Sequence, residues 1–365
     1  MSRNGRVLVA MSGGVDSSVT AAMLHDQGYE VIGITMKTWD YASSGGTKKE
    51  TGCCSLDSIN DARQIAVHRG FPHFVIDIRE EFGDFVIQNF VDEYLAGRTP
   101  NPCVMCNTHI KWEALLRRAD KMDCAFIATG HYAKVREENG RFVIARGADH
   151  SKDQSYVLWG VTQNCLSRTM FPVGSFQKSE IRQMAHDFGF HSLSKKADSY
   201  EICFIPDNDY RGFLKRQVPG LETAVAGGNF ALKDGTVVGK HQGYPFYTIG
   251  QRKGLIAMGE PYYVTRIEPE TNTVFIGKED ELLDHRFTVR GLNMVKYADI
   301  YDEMNLITKI RYLTPGTPAL VRQTAENQAE IIFEEAVKAI TPGQAAVFYE
   351  GDDVVGGGWI DAIGA

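Results

Sequence analysis

The sequence has no apolar run long enough to span a bilayer, no excess of basic residues, and no lysine at the end of its Ser12 to Ser18 glycine loop. The first absence excludes a membrane-spanning helix, which needs about 20 consecutive apolar residues. The second is a balance of 39 Lys and Arg against 46 Asp and Glu, a net charge of −7. It excludes nucleic-acid binding by bulk charge, while leaving room for a local basic surface around a cleft. An even, closely spaced cysteine framework is also missing. Seven cysteines in 365 residues suit free thiols, catalytic groups or metal ligands better than structural disulfides. The opening Met1-Ser2-Arg3-Asn4-Gly5-Arg6 runs into an apolar strand without a signal-peptide pattern, so a cytoplasmic location is expected.

What is present begins with Ser12-Gly13-Gly14-Val15-Asp16-Ser17-Ser18, between the apolar run Val7 to Met11 and the segment Val19 to Gln27. This order predicts a strand, a phosphate loop and a helix. Gly13 and Gly14 allow backbone angles closed to other residues and expose their amides, and the serines add hydroxyls at the positive end of a helix dipole. Without the lysine, this is not the ATPase P-loop. Asp16 has no basic neighbour in the loop, which suggests that it organises Mg²⁺ or the loop itself.

The rest of the first half alternates strand and helix. Val31 to Met36, Phe74 to Ile78 and Cys124 to Thr129 predict further buried strands of a parallel sheet, and Leu56 to Arg69, Phe82 to Ala96, Ile110 to Lys121 and Phe176 to Phe188 predict helices. Trp39 to Gly52 reads as a polar surface loop. Arg141 to Arg146 is expected as an edge strand and Ser199 to Pro206 as a short apolar strand holding Cys203. Beyond about Pro219 the chain breaks into short strands around Gly227-Gly228, Asp234-Gly235 and Pro269 to Asn272, and from Arg286 the pattern is strongly β. The expected fold class is α/β, a Rossmann-like parallel sheet followed by a small β-rich domain and a C-terminal β-barrel or sandwich. The expected division is 1–218, 219–284 and 285–365.

Six further segments narrow the reading: Asn101-Pro102-Cys103-Val104-Met105-Cys106-Asn107, Ala128-Thr129-Gly130-His131-Tyr132, Lys152-Asp153-Gln154-Ser155-Tyr156, Ile202-Cys203-Phe204-Ile205, Thr248 to Leu255, and Thr341-Pro342-Gly343-Gln344. The glycine loop resembles the pyrophosphate loop of the ATP pyrophosphatase superfamily. Together with the six segments, which span nearly the whole chain, it resembles the bacterial-type tRNA 2-thiouridylase family, whose nucleotide domain has the adenine nucleotide alpha hydrolase-like fold and whose C-terminal domain is a barrel. The resemblance implies sulfur insertion at C2 of the wobble uridine, position 34, of tRNA. ATP, with Mg²⁺, activates uracil O2, and sulfur reaches the base from a cysteine persulfide loaded by a cysteine desulfurase or a sulfur-relay protein.

The same resemblance assigns residues. Cys203 carries the persulfide, and Cys106 acts on it as nucleophile and then pairs with Cys203 in a disulfide that a reductant resets. The terminal sulfur either attacks the activated base directly or is released as sulfide. Ala10, Met11, Ser12, Gly13, Gly14, Val15, Asp16 and Ser17 line the phosphates, with Met36 and Gly130 near the nucleoside. Asn101, Pro102 and Cys103 lie near the target base, Lys152, Asp153 and Gln154 beside the substrate, and Arg311 and Tyr312 on the anticodon arm. Arg252, Lys253, Lys195 and Lys196 are candidate phosphate contacts. His131 reads either as a general acid or as a hydrogen bond at a strand end. Some family members carry Asp where Cys103 stands, so that thiol does not simply inherit the carboxylate's role. Cys103, Cys106 and Cys203, with Cys53 or Cys54, also offer thiolates for an iron-sulfur cluster, the rival mechanism. Cys124 and Cys165 fit buried, inert positions.

Overall fold

The computed structural model describes residues 4–39, 55–196, 202–205 and 207–364. They form two compact units, one of Met1–Val86, Cys103–Asp209 and Asp352–Val354, the other of Ile87–Pro102, Tyr210–Gly351 and Val355–Ala365.

In the first unit the strands are β1 (Arg6–Ala10), β2 (Glu30–Lys37), β3 (His73–Asp77), β4 (Phe126–Ala128), the hairpin β5 (Ala133–Glu138) and β6 (Arg141–Arg146), and β7 (Thr169–Met170). A parallel sheet runs in the order β3-β2-β1-β4-β7. Its main helices are α1 (Val15–Asp26), α2 (Leu56–Arg69), α3 (Trp112–Lys121) and α4 (Lys178–Asp187). Val7, Val9, Val19, Ala22 and Leu24 are fully buried in one cluster, so β1 and α1 are the centre of this unit. Even the polar residues Ser18 and Thr20 of α1 are buried, which explains why its sequence lacks a clear polar face. Chain order reverses at β1, with β2 on one side and β4 on the other. The carboxyl end of β1 is therefore the switch point where open α/β sheets take their ligands.

Several expectations are corrected. Arg141 to Arg146 is a strand but not an edge, since β6 lies between β5 and the strand holding Asp353, which pairs with Ala145. Phe74 to Ile78 is not a buried strand: β3 is the sheet edge, and Phe74 and Val75 are 47% and 39% exposed. The predicted helix Phe82 to Ala96 is instead Arg79–Phe82, a π-helical turn Gly83–Ile87 and Gln88–Leu95, while the helix expected from Ile110 starts two residues later, at Trp112, after a second π-helical turn Cys106–Lys111. Apolar periodicity does not distinguish a continuous helix from one widened by a residue. Ile202–Ile205, the described part of the expected Cys203 strand, is a turn closed by Ile205 N–H donating to the Ile202 carbonyl at 2.9 Å. The loop expected from Trp39 to Gly52 lies outside the described residues except for Trp39 itself.

The second unit holds a small mixed sheet and a barrel. β8 (Gly228–Ala231), β9 (Val237–His241), β10 (Tyr263–Glu268) and β11 (Thr273–Gly277) lie in the order β10-β11-β8-β9, with β11 and β8 parallel. The barrel strands are β12 (Leu283–Met294), β13 (Glu303–Lys309), β14 (Thr317–Ala325), β15 (Gln328–Lys338), β16 (Ala345–Glu350) and β17 (Asp353–Ile363). They run β12-β15-β14-β13-β16-β17, and β12 also pairs with β17, closing six antiparallel strands around Phe287, Val321, Ile331, Phe348 and Ile360. Closure makes this a barrel, not a sandwich, and removes exposed edges. No helix among the described residues is long and apolar enough to cross a membrane.

Candidate active site

The loop after β1 is built as an anion cradle. Gly14 caps α1 in extended backbone, and Gly13 has a φ of +68°. A Cβ on Gly13 would stand 2.0 Å from the Ser58 carbonyl oxygen, so the loop lies directly on the first turn of α2 and only glycine fits. The serines shape the loop from within. Ser17 Oγ accepts from Ser12 N–H at 3.1 Å and donates to the Gly14 carbonyl at 3.2 Å, which Ser18 Oγ also reaches at 2.7 Å. The Gly13 and Gly14 amides donate to no protein acceptor among the described residues, which leaves them for a ligand at the positive end of α1.

Cations missing from the loop sequence arrive from elsewhere. Lys178, the first residue of α4, places Nζ 2.7 and 2.8 Å from the two carboxylate oxygens of Asp16, and Tyr132 donates its hydroxyl to the same carboxylate at 2.8 Å. Lys196 donates to the Gly13 carbonyl at 3.0 Å and pairs with Asp61 at 2.9 Å. Lys178 is absent from the expected site residues. Its one signal was a cation in the first turn of a helix, where the dipole disfavours it and another partner must hold it. Gly130, after β4, packs so closely on α1 that a Cβ would stand 2.7 Å from Ser17 N and 2.8 Å from Asp16 C. The structure therefore brings Gly130 and Asp16 together at the switch point.

The floor of the cradle is pinned from behind. Thr35 on β2 donates Oγ1–H to the Met11 carbonyl at 2.7 Å, and His73 Nε2 lies 2.8 Å from the same Oγ1. Since the hydroxyl proton is committed to Met11, His73 donates to Thr35. Burial, and then the charge of Arg63, push His73 below the ordinary histidine range, which keeps it neutral for this tautomer. Met36, the next residue, pairs with Ile76 across the sheet and is half-buried.

His131 is buried, with Nδ1 2.9 Å from Thr129 Oγ1 and its ring beside Trp112. Burial, and then Lys111, lower its pKa well below 6.5, so it is neutral and its geometry is that of a structural hydrogen bond. Asp153 and Gln154 are also structural at their side chains. Asp153 accepts from Gly147 N–H, Ser155 N–H and Ser155 Oγ–H, and Gln154 accepts from Tyr132 N–H at 3.0 Å. Lys152 N–H closes the preceding turn on the Asp149 carbonyl.

Cys106 is half-buried and opens the second π-helical turn, while Cys103 and Cys203 are exposed. Asn107, 1% exposed, holds that turn by donating Nδ2–H to the Val157 carbonyl at 2.9 Å. Cys203 sits on a turn anchored by Phe204, which is 2% exposed between Trp39 and Phe82 at ring separations of 6.3 and 5.8 Å. A buried aromatic neighbour thus presents an exposed thiol. Cys124 and Cys165 are buried as expected, and burial pushes the Cys124 thiol up to about 11. Among the described residues no three His, Cys, Asp or Glu side chains gather to hold a metal, so Cys103, Cys106 and Cys203 do not present a three-thiolate donor set. Cys53 and Cys54 lie outside the described residues.

In the second unit the segment before Asn101 and Pro102 is fastened tightly. Buried Glu93 accepts from Arg98 at 2.6 and 2.7 Å, Gln344 donates to the carbonyls of Thr99 and Pro100 at 3.1 and 2.8 Å, and Gly343 leaves room for both, since a Cβ there would stand 2.8 Å from Glu93 Oε2. Arg311 spends one guanidinium nitrogen on the Ala339 carbonyl at 2.8 Å, with Tyr312 beside it 37% exposed. Arg252 and Lys253 are exposed in this unit, as is Lys195 in the first.

Family models match three stretches of the chain: a tRNA methyl transferase HUP domain over residues 5–207, a tRNA methyl transferase PRC-barrel domain over 211–278 and an aminomethyltransferase beta-barrel domain over 284–360. The chain is 64% identical over 362 residues to the tRNA-specific 2-thiouridylase MnmA of Amoebophilus asiaticus, covering 99% of this chain and 96% of that one. It is 66% identical over 362 residues to that of Cytophaga hutchinsonii, covering 99% and 98%, and 59% identical over 368 residues to that of Salinibacter ruber, covering 100% and 96%. Identity of this degree over essentially the full length of each relative means that the chain belongs to the tRNA-specific 2-thiouridylase family.

Proposed function

We propose that this enzyme uses ATP to replace O2 of the wobble uridine, position 34, of tRNA with sulfur. The observation that carries the reading is the near full-length identity to thiouridylases, joined to a loop at the β1 switch point whose glycine amides are open to a polyphosphate. Uracil O2 attacks the α-phosphorus of ATP and pyrophosphate leaves. The adenylated O2 is then a good leaving group, and C2 an electrophile. The terminal sulfur of a Cys203 persulfide attacks C2, and AMP departs with the oxygen. The Cys106 thiolate attacks Cys203 Sγ, forming the Cys106–Cys203 disulfide and breaking the bond to the transferred sulfur, which stays on C2. A dithiol reductant then returns two electrons to the pair. An anticodon-loop uridine is already single-stranded, so bringing it to the site costs little unstacking energy.

The residue assignments follow the same reading. Ala10 to Ser17 hold the phosphates, with Met36 and Gly130 toward the nucleoside. Asn101, Pro102 and Cys103 sit by the target base, and Lys152 to Gln154, Arg311 and Tyr312 contact tRNA. Asp16 does not fit a direct Mg²⁺ ligand in this arrangement, because both its oxygens already face the Lys178 ammonium. The persulfide route is favoured over an iron-sulfur cluster because no three of the described thiols gather as a donor set, whereas the persulfide route needs only two. The domain division 1–218, 219–284 and 285–365, a cytoplasmic location, and a desulfurase or relay protein as donor complete the proposal. Cys203→Ser is expected to abolish sulfur transfer while keeping ATP binding and tRNA-dependent release of pyrophosphate. Normal thiolation by that variant would remove the persulfide route.

A further inference from the structure

The peptide joining Gly13 to Gly14 has no side chain on either flank. Nothing steric within the loop therefore decides which way its carbonyl and amide point, and glycine tolerates either orientation. The peptide is planar and trans, so the Gly13 carbonyl and the Gly14 N–H face opposite ways. The group that meets the carbonyl is the Lys196 ammonium at 3.0 Å, which is itself held by the Asp61 carboxylate at 2.9 Å and by Ser58 Oγ at 3.3 Å. The Gly14 amide, on the other side, donates to no protein acceptor among the described residues.

We infer that Lys196 is a positioning residue for nucleotide binding, locking the Gly13–Gly14 peptide so that the Gly14 amide faces the polyphosphate. A cation on the carbonyl oxygen also polarises the amide on the far side of the same peptide and makes it a stronger donor to an anion. Ser58 belongs to the first turn of α2 and Asp61 to the next residues of that helix, so the lock is anchored on the element against which Gly13 is packed. This places Lys196 behind the cradle and not on an RNA phosphate. It also gives a residue 183 positions from Gly13 a task that the loop's own sequence leaves undone.

The inference rests on the loop being the ATP phosphate site, and its test needs neither tRNA nor sulfur donor, so it can fail independently of the thiolation reaction. Calorimetric titration of the full chain with ATP and, separately, with adenosine is the experiment. Lys196→Met is expected to weaken ATP by about tenfold, the scale of one charge-assisted hydrogen bond, and to leave adenosine within about twofold. Lys196→Arg, which keeps donor and charge, is expected to stay within about threefold for ATP. Unchanged ATP affinity in Lys196→Met, or equal weakening of ATP and adenosine, would overturn the assignment. Should Lys196→Met fail to fold, Lys196→Gln against Lys196→Arg carries the same comparison, with ATP-selective weakening expected only in the Gln variant and its absence overturning the lock.

Discussion

Single residues divide by whether burial or exposure sets their chemistry. Burial keeps His241 neutral, lowering it from 6.5 to about 4, and acts in the same direction on His73 and His131. Below pH 6.5 the unfolded chain takes up protons that these folded imidazoles refuse, so stability is lost as pH falls toward 4. The shift at His241 alone corresponds to about 3 kcal/mol. Urea unfolding at pH 7.5, 6 and 5 is expected to show a steady decline that His241→Gln reduces, and a flat profile would contradict the assignment. The thiols sort in the same way. Exposed Cys203 is expected to react with iodoacetamide at neutral pH well before Cys124, which is buried and has its thiol pushed up to about 11, and peptide mass mapping reads the order directly. The cysteine types and the glycine loop were legible in the sequence because their chemistry is local. Lys178 was not, because it meets Asp16 across 162 positions and nothing near either residue announces the other.

At the scale of elements, the site is made by close approach. Gly130 touches the first turn of α1 with no room for a methyl group. Gly130→Ala is expected to push the segment after β4 off that turn, costing about 1–3 kcal/mol of stability. It is also expected to weaken ATP by roughly tenfold, measured by titration against the parent chain. Wild-type affinity and stability would show that the contact is not needed. Strand–helix alternation in the first half and the β-texture of the second were readable because apolar runs and turn residues carry them. The π-helical turns at Gly83–Ile87 and Cys106–Lys111 were not, since a single extra residue per turn leaves the apolar stripe almost unchanged. Nor was β17, whose Gly356-Gly357-Gly358 run looks like a break in sequence but lets the strand approach β12, where a Cβ on Gly356 would stand 2.6 Å from the Asn293 carbonyl. The turn at Ile202–Ile205 looked like a strand because all four of its residues are apolar, although only Phe204 and Ile205 are buried.

For the whole molecule, the order of events matters more than any one contact. On the proposed reading, the loop after β1 supplies activation and the cysteines specify that the incoming atom is sulfur. The proposal predicts that the two tasks separate: loop variants are expected to lose the first step, Cys203→Ser only the second. A closed barrel and a small mixed sheet accompany the nucleotide unit. Mass analysis of the position 34 nucleoside, after incubating the purified enzyme with unmodified cognate tRNA, ATP, a persulfide-generating desulfurase and a dithiol reductant, tests this account most directly. The account predicts 2-thiouridine that appears only when ATP is present, together with equal amounts of AMP and pyrophosphate. Unmodified uridine in the complete reaction, or sulfur incorporation that proceeds equally without ATP, would contradict it.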